Sequence, residues 1–162
     1  DWTGSQFDAS LSWDDATELR KQWGGKVIIK GILDAEDARA AVNVGADAIV
    51  VSNHGGRQLD GALSAIKALP AIVDAVGDKA EVWMDGGIRS GQDVLRAIAM
   101  GAQGTLIGRA FLYGLGAGGQ AGVTKALEII HKELDLTLGL CGHPELRKVD
   151  SSILLASESD HR

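Results

Sequence analysis

Short apolar runs alternate along the chain with stretches whose apolar residues recur at helical spacing. The runs Val27-Ile28-Ile29-Lys30-Gly31, Ala48 to Asn53, Val82-Trp83-Met84-Asp85-Gly86-Gly87 and Thr105-Leu106-Ile107-Gly108-Arg109 read as strands ending in turn residues. Ala48-Ile49-Val50-Val51 is apolar throughout, the pattern of a strand covered on both faces. Ser12-Trp13-Asp14-Asp15 has the Ser-x-x-acid form of a helix start and predicts a helix to Trp23 that stops at Gly24-Gly25. Asp34-Ala35-Glu36-Asp37 opens a second helix, with Ala38, Ala41, Val42 and Gly45 at helical spacing. Ser90-Gly91-Gln92-Asp93 repeats the cap ahead of an inner stripe of Val94, Leu95, Ile98 and Ala99. Ser64 to Val76 reads as helical, and Pro70 predicts a break near Lys67 to Leu69, because proline removes a donor and crowds the preceding turn. A longer helix is expected from about Gly122, with Val123, Ala126, Leu127, Ile130, Leu134 and Leu138 inward. Residues 1–11 read as loop and 143–162 as an irregular tail, with no element over 157–162.

A shift of 56 aligns the chain on itself, placing Gly31-Ile32 on Gly87-Ile88, Asp37 on Asp93, Ala41 on Ala97 and Gly45-Ala46 on Gly101-Ala102. Strands alternating with helices imply a parallel sheet, and repetition in pairs points to a (β/α)8 TIM barrel. Such a barrel needs about 250 residues. About four β-α units therefore make the C-terminal half of one, with residues 12–142 as the units and the other half N-terminal to them. The opening Asp1-Trp2 fits a chain cut from something longer.

Composition adds exclusions. Hydrophobic residues make up 45% and charged residues 23%, ordinary for a globular domain. A net charge of −6 with scattered Lys and Arg argues against a nucleic-acid footprint, so any anion site is local. The one cysteine, Cys141, excludes an internal disulfide and fits a reducing compartment; it reads as a buried small residue near a helix end. No apolar run is long enough to span a bilayer, and no signal-peptide pattern opens the chain.

Candidate chemistry gathers where strands end. Ser52-Asn53-His54-Gly55-Gly56-Arg57 sets an imidazole beside a guanidinium suited to a planar anion, with glycines that admit a ligand close to the backbone. Lys30, Asp85, Gly86, Gly87, Gly108 and Arg109 occupy the same position on their strands, and a closed sheet would bring all of them to one face. Gly86-Gly87-Ile88-Arg89-Ser90-Gly91 leads into a helix N-terminus, where free N–H groups favour an anion, and Gly108-Arg109 offers a second cradle.

These segments together resemble the FMN-dependent α-hydroxy acid oxidases and dehydrogenases. Ser52 to Gln58 looks like the family's active-site signature; Ile29-Lys30-Gly31, Asp85 to Arg89 and Ile107-Gly108-Arg109 look like its flavin-binding segments, in the same order. Gln6 to Ser10 looks like the segment following the family's mobile fourth loop. The resemblance implies oxidation of a small L-2-hydroxy acid to the 2-keto acid, with His54 taking the hydroxyl proton and Arg57 clamping the carboxylate. It places Lys30 at the flavin N1 edge, Ser52 near the isoalloxazine, Asp85 at the ribityl chain, and Gly87, Arg89, Gly108 and Arg109 around the phosphate, with Gly86 also among the cofactor-binding residues. It further implies the N-terminal half of the polypeptide as partner, oxygen, a quinone or a cytochrome as acceptor, a tetramer, and a cytoplasmic location with peripheral membrane contact through the fourth loop. Alternatives are another FMN barrel, such as an isomerase, and a non-catalytic phosphate-binding half-barrel. The His-Gly-Gly-Arg loop discriminates against the first, and a flavin-bearing preparation that bleaches with an α-hydroxy acid would exclude the second.

Overall fold

The computed structural model describes residue 8 and residues 10–155. The expected loop over residues 1–7 and the unstructured end over 157–162 lie outside them.

Four parallel strands form one sheet in the order β1 (Ile28–Ile32), β2 (Ala48–Val51), β3 (Glu81–Asp85), β4 (Gly104–Leu106). The helices are α1 (Trp13–Trp23), α2 (Ala35–Asn43), α3 (Ala65–Val76), α4 (Gly91–Ala99) and α5 (Arg109–Leu140). β2, flanked by β1 and β3, is buried along its whole length. Alternation then divides its neighbours. Ile29, Ile49, Val51, Val82 and Met84 share a core with Ala38 and Ala41 of α2 and with Leu69 and Ile72 of α3. Lys30 and Asp85 have the opposite parity, as does Ile28, which is 48% exposed. This is one arc of a TIM barrel, with helices outside and the opposite face of the sheet inward.

Local chemistry sets the helix ends. Ser12 with Asp15, and Ser90 with Asp93, form reciprocal capping boxes, and Gly24 closes α1 at φ 68°. The 56-residue repeat is structural as well: α2 and α4 begin and end on equivalent residues, and Gly45 (φ 92°) and Gly101 (φ 99°) turn both chains alike. A second, smaller core joins α4 and α5 to the tail through Leu95, Leu138 and Val149.

Ala99 belongs to that same core, so the tail is anchored on α4.

The structure departs from the sequence reading in several places. α3 runs unbroken through Pro70, its sixth residue, where a break was expected. An interior proline costs about 3 kcal/mol, but burial of Leu69, Ile72 and Val76 returns about 1.5–3 kcal/mol each, so packing outweighs the lost bond. β4 ends at Leu106, and Arg109 opens α5 rather than closing a strand. α5 also begins thirteen residues before the expected Gly122, and its two arms, 109–117 and 120–140, meet at a kink on Gly118 and Gly119. The arms fold back so closely that a Cβ on Gly122 would lie 1.9 Å from the Gly114 carbonyl oxygen. Leu127, expected inward, is 46% exposed, whereas Ile130 and Leu138 are buried. Cys141 is exposed, because it caps the end of α5 instead of facing the core. The tail carries two 3-10 turns, Leu146–Lys148 and Ser151–Ile153.

Candidate active site

Because the four strands are parallel, their C-terminal ends deliver Lys30, Ser52 to Arg57, Asp85 to Gly87, and Gly108 with Arg109 to one edge of the sheet. His54, Arg57, Asp85, Gly87, Arg89 and Arg109 line a common cleft of about 250 Å³. A neighbouring cleft shares Gly55, Gly86, Gly87 and Arg109 with it.

Ser52 is the hub of the arrangement. Its side chain is fully enclosed, and its Oγ donates to Asp85 Oδ2 at 2.6 Å. The same oxygen accepts from Lys30 Nζ at 3.2 Å and from the His54 backbone N–H at 3.0 Å, which uses the hydroxyl's full capacity. Lys30 Nζ also lies 2.9 Å from Asp85 Oδ2. Burial pushes the Asp85 carboxyl up, but the hydrogen bonds from Ser52 and Lys30 and the positive charge nearby outweigh it and hold the group below the ordinary carboxylate value. Enclosure thus makes Ser52 an organiser of the Lys30 and His54 positions, a role its expected place beside a ring does not anticipate.

His54, Gly55 and Gly56 follow one another at positive φ, 54°, 71° and 71°. For the glycines this is unstrained; for a histidine it is uncommon and must be held in place. The Ser52 hydroxyl holds the His54 N–H, Asn53 Oδ1 accepts from the Gly55 N–H at 3.0 Å, and Arg109 Nη2 donates to the Gly55 carbonyl at 2.6 Å. The strands and helices fix the ends of this turn, and side chains fix its middle.

The two expected anion cradles differ. The N–H groups of Arg89 and Ser90 are taken by Asp93 Oδ2, and that of Gly91 by Glu133 Oε2, so the start of α4 is already satisfied by carboxylates. The start of α5 has no side-chain cap and no acidic residue in its first turn. Its positive end therefore remains open, with Arg89 and Arg109 on the same cleft. A Cβ built on Gly87 or Gly108 meets nothing within 4 Å, which leaves room for a ligand to approach these backbones. Among the described residues, Arg57, Arg89 and Arg109 make no salt bridge with a carboxylate. Sequence reasoning selected the cleft's charged residues, but it missed Asn53 as a cap, Glu133 as the partner of Gly91 and the reach of Arg109 to Gly55. The Asn53 cap, an Asx turn onto the residue two positions on, carries a local signal that could have found it; the other two pairings join residues far apart in sequence and carry none.

Comparison with known proteins adds an independent line. The sequence profile of the FMN-dependent dehydrogenase family matches residues 1–156. An L-lactate dehydrogenase of Caulobacter vibrioides is 53% identical over 153 residues, covering 94% of this chain and 40% of the relative. One from Pseudomonas putida (strain GB-1) is 54% identical over 154 residues, covering 95% and 40%. A crystal structure of the monotopic membrane protein (S)-mandelate dehydrogenase superposes with a TM-score of 0.91 at 40% identity, covering 96% of this chain and 41% of that one. A mandelate oxidase with 2-hydroxy-phenylacetamide gives a TM-score of 0.81 at 48% identity, covering 85% and 41%. The chain thus spans about 40% of the length of the curated relatives it matches.

Proposed function

The chain belongs to the FMN-dependent dehydrogenase family, and from that premise we propose that it supplies the base, the carboxylate clamp and the phosphate cradle of an enzyme oxidising a small L-2-hydroxy acid to the 2-keto acid. The observation that carries this reading is the placing of His54 and Arg57 on the same cleft as the open start of α5. Lactate is the first substrate to test, given the L-lactate dehydrogenases above.

The donor set fits FMN. Arg89, Arg109 and the Gly108 backbone would hold the dianionic phosphate, with Gly86 and Gly87 beside it and Asp85 available to ribityl hydroxyls. Lys30, with Ser52 behind it, would hold the N1 edge of the ring. When bound, FMN supplies the two-electron acceptor. Arg57 binds the substrate carboxylate as a planar pair of charge-assisted hydrogen bonds. His54 accepts the α-hydroxyl proton, and a positioned base of this kind contributes about 10² to 10⁴ in rate. Its held backbone keeps the imidazole aimed before substrate arrives.

The reading includes an N-terminal half of the same polypeptide. β1 pairs only with β2 and β4 only with β3 among the described residues, so both outer edges present unpaired backbone groups that a closed barrel would use. No helix among the described residues is long and apolar enough to cross a membrane. A cytoplasmic location, peripheral membrane contact, assembly as a homo-oligomer, and oxygen, a quinone or a cytochrome as final acceptor belong to this proposal. Steady-state assays of the complete polypeptide with lactate, glycolate and mandelate, with and without oxygen, test it. Bleaching of the bound flavin by one of these acids is expected; a preparation that bleaches with none would overturn the reading.

A further inference from the structure

β1 carries an irregularity whose effect falls on the base. Its pairing with β2 runs in step through Lys30 and Val50, then slips, so that Ile32 pairs with Val51 and Gly31 is left over as a bulge. Gly31 has φ 105°, outside the range that side chains favour. A Cβ placed there would lie 2.6 Å from His54 Nε2 and 3.4 Å from Cε1. The imidazole therefore occupies the volume in which any other residue at 31 would carry its side chain. Its backbone is held independently by Ser52 and by the Gly55 contacts of Asn53 and Arg109.

We propose that Gly31 is a positioning residue for His54: the bulge at the end of β1 is the seat of the imidazole, and the missing side chain sets where the ring stands in the cleft. The proposal rests on the reading of His54 as the base. Gly31 itself offers no side chain to substrate or cofactor, so its influence on the reaction runs through the ring it seats. An added methyl would force the imidazole out of its place, on top of the backbone strain that any side chain meets at φ 105°.

The test is a cycle of variants in the complete, FMN-loaded polypeptide: Gly31→Ala, His54→Ala and both together, each followed by anaerobic flavin reduction, by substrate and FMN affinity, and by melting. A misplacement of about 1 Å costs on the order of a hundredfold in rate. Gly31→Ala is expected to slow flavin reduction by about that factor with substrate and FMN affinities unchanged, and to have no further effect once His54 is alanine. An equal loss in both backgrounds, or no loss in either, would overturn the proposal. Should Gly31→Ala fold only in the His54→Ala background, the steric seat is supported directly. Failure to fold in both would assign the glycine to its backbone angle alone and sink the idea. Near-normal flavin reduction by His54→Ala is a separate result, which would remove the base assignment instead.

Discussion

Arg109 Nη2 donates to the carbonyl oxygen of Gly55 at 2.6 Å, so the first residue of α5 reaches across the cleft to the loop that carries His54. On the proposed reading, the phosphate cradle and the loop of the base share a side chain. Arg109→Met is expected to weaken FMN binding and also to loosen residues 54–57. Hydrogen exchange at the Gly55 and Gly56 amides, measured at saturating FMN, checks the second effect; unchanged protection would confine Arg109 to the cradle.

His54→Gln should retain FMN but lose flavin reduction by at least about a hundredfold, the lower end of what a positioned base contributes. Stopped-flow bleaching without oxygen measures it. A rate near that of the unaltered enzyme would take His54 out of the reaction.

For Arg57→Met, the loss of a charge-assisted contact to the carboxylate is expected to cost about 1.5–3 kcal/mol in kcat/KM. FMN affinity should stay as it was. An unaltered kcat/KM would mean that Arg57 does not meet the substrate.

Acidification should release the knot of Lys30, Ser52 and Asp85. The folded pKa of Asp85 lies below its unfolded value of about 3.9, so its contribution is present above that value and lost as pH falls through the lower, folded one. Asp47 behaves in the same direction, held down by its hydrogen bonds from Lys26 and the Val27 backbone. Lys30→Met should raise the Asp85 pKa and move the acid side of the stability profile to higher pH. Carboxyl titration by carbon-detected NMR reads it; no movement would show that the ion pair is not what lowers Asp85.

Gly91→Ala tests the clamp of α5 on α4. A Cβ at Gly91 would lie 2.0 Å from the Leu134 backbone nitrogen, and backbone cannot step aside as a side chain can. Overpacking of this sort costs about 1–3 kcal/mol, so the melting temperature should fall. An unchanged melt would show that the two helices can separate freely.

What the sequence makes legible is what is encoded locally. The capping boxes at Ser12 and Ser90 depend on side chains three residues apart, and both helix starts stand where that spacing puts them. The cleft was legible for a similar reason, since a parallel sheet brings every strand end to one edge. The unbroken α3 was not, because Pro70 is tolerated through the burial of Leu69 and Ile72 against strands distant in sequence. The first arm of α5 was hidden by its glycines at 114, 116, 118 and 119, which lower helix propensity, although Gly118 and Gly119 make the kink and Gly114 lets the arm touch Gly122. Ser52 as hub and Gly31 as seat were illegible too: each depends on which side chain arrives from another strand.

Gly31-Ile32 and Gly87-Ile88 are the same dipeptide at equivalent points of the 56-residue repeat, with both glycines at positive φ and both isoleucines buried. Their flanks differ: Lys30 and Leu33 in one copy, Gly86 and Arg89 in the other. The cation thus precedes the corner in one copy and follows it in the other. On the proposed reading, one duplicated corner serves twice, as a rest for a ring in the first copy and beside the bound phosphate in the second. The two corners are alike in shape but not interchangeable in use, and a chimera that exchanged only their flanking residues would carry each charge to the wrong end of the site.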